Sequence, residues 1–277
     1  MTLSTRNRFL FSGLLISIIP LVLVAVSLFN IFPVLVSVHS DSAQRSHGLA
    51  QALTSGFMES SPYVAVAVVL VSILFASAAT GLMFFYFEKT QSSEYLFFAL
   101  GILVFSVEGF RVLIPLARAW DLSQAYIVMA FRIIVFGRNF GLFALFTASV
   151  YATGLESQKT GNLILILVAA ALIISTGIPL DGLTWNTAMV IVPGYASMFM
   201  LMEISVALIT VLGFFIAAYT KGSSEFFYTG IGAVLFFLGR DGLLNADTWI
   251  MVPLGAAALC AGTWLMATSL HRYYLWL

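Results

Sequence analysis

At 277 residues, 61% hydrophobic and 9% charged, with a mean hydropathy of +1.04, the chain is too apolar for a soluble domain, which carries about 25% charged residues. Twelve basic residues balance twelve acidic ones, so the net charge of zero draws in no polyanion and no nucleic-acid partner is expected. Three histidines and one cysteine, Cys260, exclude an internal disulfide and argue against a zinc or iron–sulfur centre; no cofactor and no metal are called for.

The N-terminal MTLSTRNRFLFSGLLISIIPLVLVAVSLFN places Arg6 and Arg8 ahead of an apolar stretch running to about Val38. That is far longer than the roughly 7–15-residue apolar region of a cleaved signal, so it reads as a first membrane helix over 9–38, bent at Pro20 and Pro33. Residues 39–61 read as an outer loop with room for one short amphipathic surface helix. Its two histidines, His39 and His47, read as solvated surface. Apolar runs long enough to span a bilayer then recur at 62–87, 94–117, 124–151, 161–180, 189–219, 225–244 and 248–270. The expectation is one all-α transmembrane domain over 1–277, a polytopic bundle of eight membrane-spanning helices joined as consecutive hairpins by short loops.

Charge placement sets the expected orientation. With the N-terminus inside, the inner segments hold Arg6, Arg8, Lys89, Lys159, Lys221 and Arg272, against Arg45 and Arg118 outside. An excess of basic residues on the inner side is the pattern of a cytoplasmic-membrane protein. Trp120, Trp185 and Trp249 fall in outer loops, where an aromatic belt belongs. The reading is N-in and C-in, multi-pass, in a bacterial inner membrane, with Tyr273, Tyr274 and Trp276 of the terminal HRYYLWL as interfacial anchors.

Two pairs of segments resemble each other. SSEYLFFALGILVF (92–105) aligns with SSEFFYTGIGAVLF (223–236), and DGLTWNTAMVIVP (181–193) with DGLLNADTWIMVP (241–253). Repeated hairpins of this kind are common in transporter folds.

The chemistry lies in charges that fall inside apolar helices: Arg111, Arg132, Arg138 and Arg240, with Glu108, Glu203 and Asp241. A charge at mid-bilayer costs roughly 2.5–3.5 kcal/mol on insertion scales, so such groups face the bundle interior and pair. Counted from the helix ends, Glu108, Arg111, Arg132, Arg240 and Asp241 share the outer half of the membrane, which predicts one polar site. Glu203 falls near the midplane and Arg138 nearer the inner half. Glu108 and Arg111, three apart in FSVEGFR, share a helix face. Arg132 and Asn139 share a face of the fourth helix, with Arg138 turned away from it. Arg240 and Asp241 diverge by about 100° and serve different partners. Gly109, Gly137, Gly141, Gly239 and Gly242 flank the charges and permit close helix approach.

Three readings follow. The charges are structural ion pairs holding helices together; or they line a pocket for an anionic, zwitterionic or amphipathic ligand, because four arginines against three acids leave one positive charge over; or Glu108, Glu203 or Asp241 serves a proton relay. An excess arginine in such a place takes a carboxylate or phosphate through two parallel hydrogen bonds. Glu108, Arg111, Arg132, Arg240 and Asp241 are the expected ligand-binding residues, with Arg138, Asn139 and Glu203 in a coupling or structural role. No late-helix lysine suits a retinal, and no nucleophile–base pair marks a hydrolase.

The stretch MFFYFEKTQSSEYLFFALGILVFSVEGFRVLI, followed by FRIIVFGRNFGLFALFTASVYATGLESQK, resembles the membrane core of bacterial seven-transmembrane receptors with diverse intracellular signalling modules, over about 75–180. The resemblance implies a protein that senses or binds something. Those receptors carry an extracytoplasmic β-sandwich and a cytoplasmic kinase or cyclase that this sequence lacks, so a signal would pass to a separate subunit. The expected function is non-enzymatic: a ligand-binding sensor or a subunit of a larger membrane complex, in contact with membrane lipid and a partner membrane protein. The alternatives are a secondary transporter or lipid flippase, and an intramembrane enzyme acting on lipid.

Overall fold

A computed structural model of the chain describes residues 11–27 (14 and 16 apart), 62–86, 92–154, 160–180, 186, 189–191 and 193–275, with the side chains of 86, 118, 119 and 275 left aside. The expected outer loop at 39–61 and residues 28–38 of the first helix lie outside these residues, as does most of the 181–193 repeat partner. The elements are α1 (Phe11–Ser27), α2 (Pro62–Tyr86), α3 (Ser93–Leu103), a 3₁₀ helix η1 (Val104–Val112), α4 (Leu113–Ala119), α5 (Gln124–Ala152), α6 (Thr160–Gly177), α7 (Ala196–Lys221), α8 (Ser224–Leu244) and α9 (Met251–Leu275). Among the described residues, seven helices are long and apolar enough to cross a bilayer, with α3, η1 and α4 forming one of the seven over Ser93–Ala117. This is the makeup of a multi-pass membrane protein. α1 is shorter but apolar.

The helix expected from residue 189 begins at Ala196. Pro193 and Gly194 interrupt the apolar run, and Tyr195 holds a left-handed backbone with φ of 55°, so the helix cannot propagate back through them. The last helix runs on to Leu275 and takes in Tyr273 and Tyr274. Helices α3 and α8, which open with the repeated Ser-Ser-Glu, are each capped by a serine hydroxyl: Ser92 accepts from the Tyr95 N–H, and Ser223 from the Glu225 N–H. Capping by serine satisfies one of the otherwise unpaired first-turn donors.

The packing departs from simple consecutive hairpins in one place. α6 and α7 make little contact with each other, and both lean on α5. Central in the bundle is η1, between α2 and α5. Phe105 sets its ring edge against Phe75 at 5.3 Å and Phe236 at 5.9 Å. Aromatic edges of this sort add to the burial of a shared core.

Glycines set the closest approaches. Between antiparallel α8 and α9, a Cβ on Gly239 would fall 2.3 Å from the Leu259 backbone nitrogen, and one on Gly262 2.5 Å from that of Phe236. Between η1 and its neighbours, a Cβ on Gly109 would meet Pro20, and one on Gly137 would meet Val107 at 2.9 Å. Bare backbones let these helices touch, and the gain in membrane is dispersion contact because lipid tails are as apolar as leucine.

Candidate functional site

The FSVEGFR stretch owes its geometry to η1. A 3₁₀ helix has about 3.0 residues per turn, so side chains three apart eclipse one another. Glu108 and Arg111 therefore stand one above the other, with Arg111 Nε 2.5 Å from Glu108 Oε2. Both are buried, and Arg111 is wholly excluded from solvent. Arg111 also donates from Nη2 to the Leu244 carbonyl at 2.9 Å. That carbonyl belongs to the last turn of α8, where the helix dipole favours a cation. A single arginine thus ties η1 to the end of α8.

The second partner of Glu108 is Arg138 on α5. Arg138 Nε donates to Oε1 at 2.8 Å and Nη2 to Oε2 at 3.3 Å, the two-pronged geometry that suits guanidinium and carboxylate. The expectation that Arg138 lies at a different depth from Glu108 is corrected here. The tighter helix rises about 2.0 Å per residue against 1.5 Å, which sets Glu108 roughly 18 Å below the end of α4, close to the depth of Arg138 in α5. Gly137 and Gly141, beside Arg138, face Val107 and Val104. These two glycines, four apart, are the sequence signal that marks the side of α5 facing η1 and the end of α3.

A weaker pair lies next to this one. Arg240 Nη1 donates to Glu203 Oε2 at 3.5 Å, with Glu203 about one-third exposed. Glu203, expected at the midplane, sits only about 10 Å from the start of its helix because α7 begins at Ala196. Asp241 is exposed and accepts from Asn245 Nδ2 at 2.7 Å, so the adjacent Arg240 and Asp241 do take different partners. Glu203 and Asp241 both act electrostatically on Arg138, and Arg240 acts on Glu108. Arg111 and Arg138 share the Glu108 carboxylate and Arg240 reaches Glu203, with Asp241 at the exposed edge of the group. The space enclosed by Glu108, Arg138, Arg240 and their neighbours is only about 10 Å³, about one water. No larger ligand fits between them.

Arg132 stands apart from all of this. It lines a cleft of about 530 Å³ between α5 and α6, walled by Val128, Met129, Ile133 and Phe136 on one side and Leu172, Ser175 and Thr176 on the other. Its Nε is buried without a hydrogen-bond partner, and no carboxylate pairs with it among the described residues. The hydroxyls of Ser175 and Thr176 donate back to the Leu172 carbonyl at 3.0 and 2.8 Å. The guanidinium is therefore the donor left for a guest. Asn139, seven residues further along α5, donates from Nδ2 to the Val135 carbonyl at 3.0 Å and is not among the residues that line the cleft. The single site expected from sequence divides into a closed network and an open cleft.

A further contact joins the other end of the bundle. Tyr274 Oη donates to the buried Glu94 carboxylate, and Lys221 Nζ lies 4.6 Å from the centre of the Phe226 ring. The sequence marks Tyr274 as an interfacial anchor and gives no sign of its bond to Glu94, 180 residues away.

No family model and no solved structure matches the chain. A segment of 110 residues is 28% identical to an uncharacterized protein of Treponema pallidum (strain Nichols), covering 38% of this chain and 32% of that protein. The match spans about a third of the length of that relative and brings no activity with it.

Proposed function

We propose that this is a non-enzymatic integral membrane protein that binds an anionic or amphipathic ligand at Arg132, acting as a sensor or as a subunit of a larger membrane complex. The observation that carries the reading is the pairing of the membrane arginines. Arg111 and Arg138 share Glu108 and Arg240 reaches Glu203, whereas Arg132 has no carboxylate partner among the described residues. The positive charge left over is Arg132, and it is the one that lines a cleft large enough for a small molecule. A solitary arginine held in apolar surroundings is costly unless something anionic meets it. The likeness of 75–180 to bacterial receptor membrane cores supports a sensing role. In this proposal α1 supplies the eighth crossing, both termini lie on the cytoplasmic side of an inner membrane, and the cleft opens in the outer half.

Native mass spectrometry of the gently extracted protein beside Arg132→Ala tests the reading. A small molecule or lipid bound to the wild type and missing from a folded variant supports it, and a stoichiometric partner chain supports the subunit form. Bare protein in both samples contradicts it.

Glu203 favours a second reading, a secondary transporter or flippase. Its carboxylate is half-buried and only loosely held by Arg240, so it is free to engage a passing substrate or ion. Unchanged transport by Glu203→Gln in reconstituted vesicles would remove this alternative.

A further inference from the structure

The cleft at Arg132 is built for a particular class of guest. We infer that it takes an anionic phospholipid from the bilayer itself, with the phosphate on the Arg132 guanidinium and one acyl chain laid between α5 and α6. The inference rests on the ligand-binding reading above and narrows it to one source and one headgroup charge.

Three observations carry it. First, the walls are apolar apart from Arg132, Ser175 and Thr176, and the two hydroxyls spend their hydrogens on the Leu172 carbonyl. A water-borne anion would have to shed its hydration for a single guanidinium and gain nothing from the remaining wall, whereas an acyl chain gains contact along the whole cleft. Second, the cleft is reached from the side. Met129 and Leu172 on its two walls are 62% and 51% exposed, and α6 is among the least buried of the membrane-length helices, so its mouth opens onto the surface that lipid covers. From Ala125 to Phe136 the lining of α5 extends for about 16 Å, long enough to hold most of an alkyl chain. Third, the depth suits a headgroup. Arg132 lies eight residues into α5, about 12 Å from its start. α5 is about 43 Å long, comparable to a bilayer with its headgroups. The long side chain reaches from there towards the headgroup layer.

Headgroup selectivity follows from what the cleft lacks. A zwitterionic phospholipid presents an ammonium or choline group alongside its phosphate, and among the described residues no carboxylate lines the cleft to receive it. A lipid of net negative charge has its phosphate neutralised by Arg132 and leaves no cation unpaired.

The test uses the full chain in zwitterionic phosphatidylcholine mixed micelles doped with phosphatidylglycerol, reading retained lipid by native mass spectrometry. The wild type should keep one phosphatidylglycerol in preference to phosphatidylcholine by about tenfold or more, the scale of one charge-assisted contact. Arg132→Ala should lose the preference. Val128→Trp, which fills the cleft and keeps the arginine, should lose the lipid altogether, and Arg132→Lys should keep a weakened preference. Equal retention of both lipids by the wild type, or an unchanged preference in Arg132→Ala, overturns the inference. A parallel titration with inorganic phosphate separates the two levels of the argument. Phosphate binding that Arg132→Ala abolishes, with no lipid preference, would overturn the lipid and leave a ligand site. Loss of both signals would overturn the ligand site as well.

Discussion

Arg111 and Arg132 lie at nearly the same distance from a helix end, each about 12 Å in, and by sequence they are equivalent: one arginine in one apolar helix. The structure gives them opposite circumstances. Arg111 has a carboxylate at 2.5 Å and the α8 terminal carbonyl at 2.9 Å, and is wholly enclosed. Arg132 faces an open apolar cleft with no acid paired to it among the described residues. The lesson is that depth alone does not assign a membrane charge its role. What matters is whether a carboxylate lies within reach, and here Glu108 and Glu203 are taken up by Arg111, Arg138 and Arg240.

The sharpest way to break that contrast is to strip the network. Glu108→Gln leaves Arg111 and Arg138 buried without their shared carboxylate, and removing one partner of such a group costs roughly 3–5 kcal/mol. The expected result is a large fall in the unfolding midpoint, or no folded protein, in detergent. Retention of wild-type stability would show that the network is not a structural unit. Next in size is the α8–α9 contact. Gly262→Ala puts a methyl 2.5 Å from the Phe236 backbone nitrogen, and because backbone cannot swing aside the helices must separate, at about 1–3 kcal/mol. Thermal unfolding of the variant reads this directly.

A smaller effect comes from the latch at the other end. Tyr274→Phe deletes the donor to Glu94 and should cost about 1–2 kcal/mol, since the acceptor is buried and charged. Smallest of all is the Arg240–Glu203 pair. At 3.5 Å, and with Glu203 one-third exposed, it resembles a surface ion pair worth about 0–1 kcal/mol. Glu203→Gln should therefore fold as the wild type does, which makes it a clean probe for transport.

Much of this fold could be read from the chain. Long apolar runs mark most of the helices within a few residues of their ends, since period and length leave little choice for a 20-residue apolar segment. The helix at 189–195 misled because MVIVP is apolar enough to continue a run, although Pro193–Gly194 was a stop signal in plain view. The site was legible only in part. The Glu108–Arg111 contact follows from their spacing, but nothing in FSVEGFR announces a nine-residue 3₁₀ helix, which shifts Glu108 to the depth of Arg138. Which arginine is left over is a question of how α5 is turned between its neighbours. Only the Gly137–Gly141 pair hinted at that, by showing which side of α5 meets η1 and the end of α3.

The account turns on Arg132 being a charge the fold does not need. The measurement that tests this most directly is the unfolding midpoint of Arg132→Ala in lipid-depleted detergent, run beside Glu108→Gln. The account predicts that Arg132→Ala is no less stable than the wild type, because it removes a cation that nothing in the lipid-depleted protein pairs. A loss approaching that of Glu108→Gln would mean that Arg132 has an acid partner of its own, and the cleft would be a structural joint with no site in it.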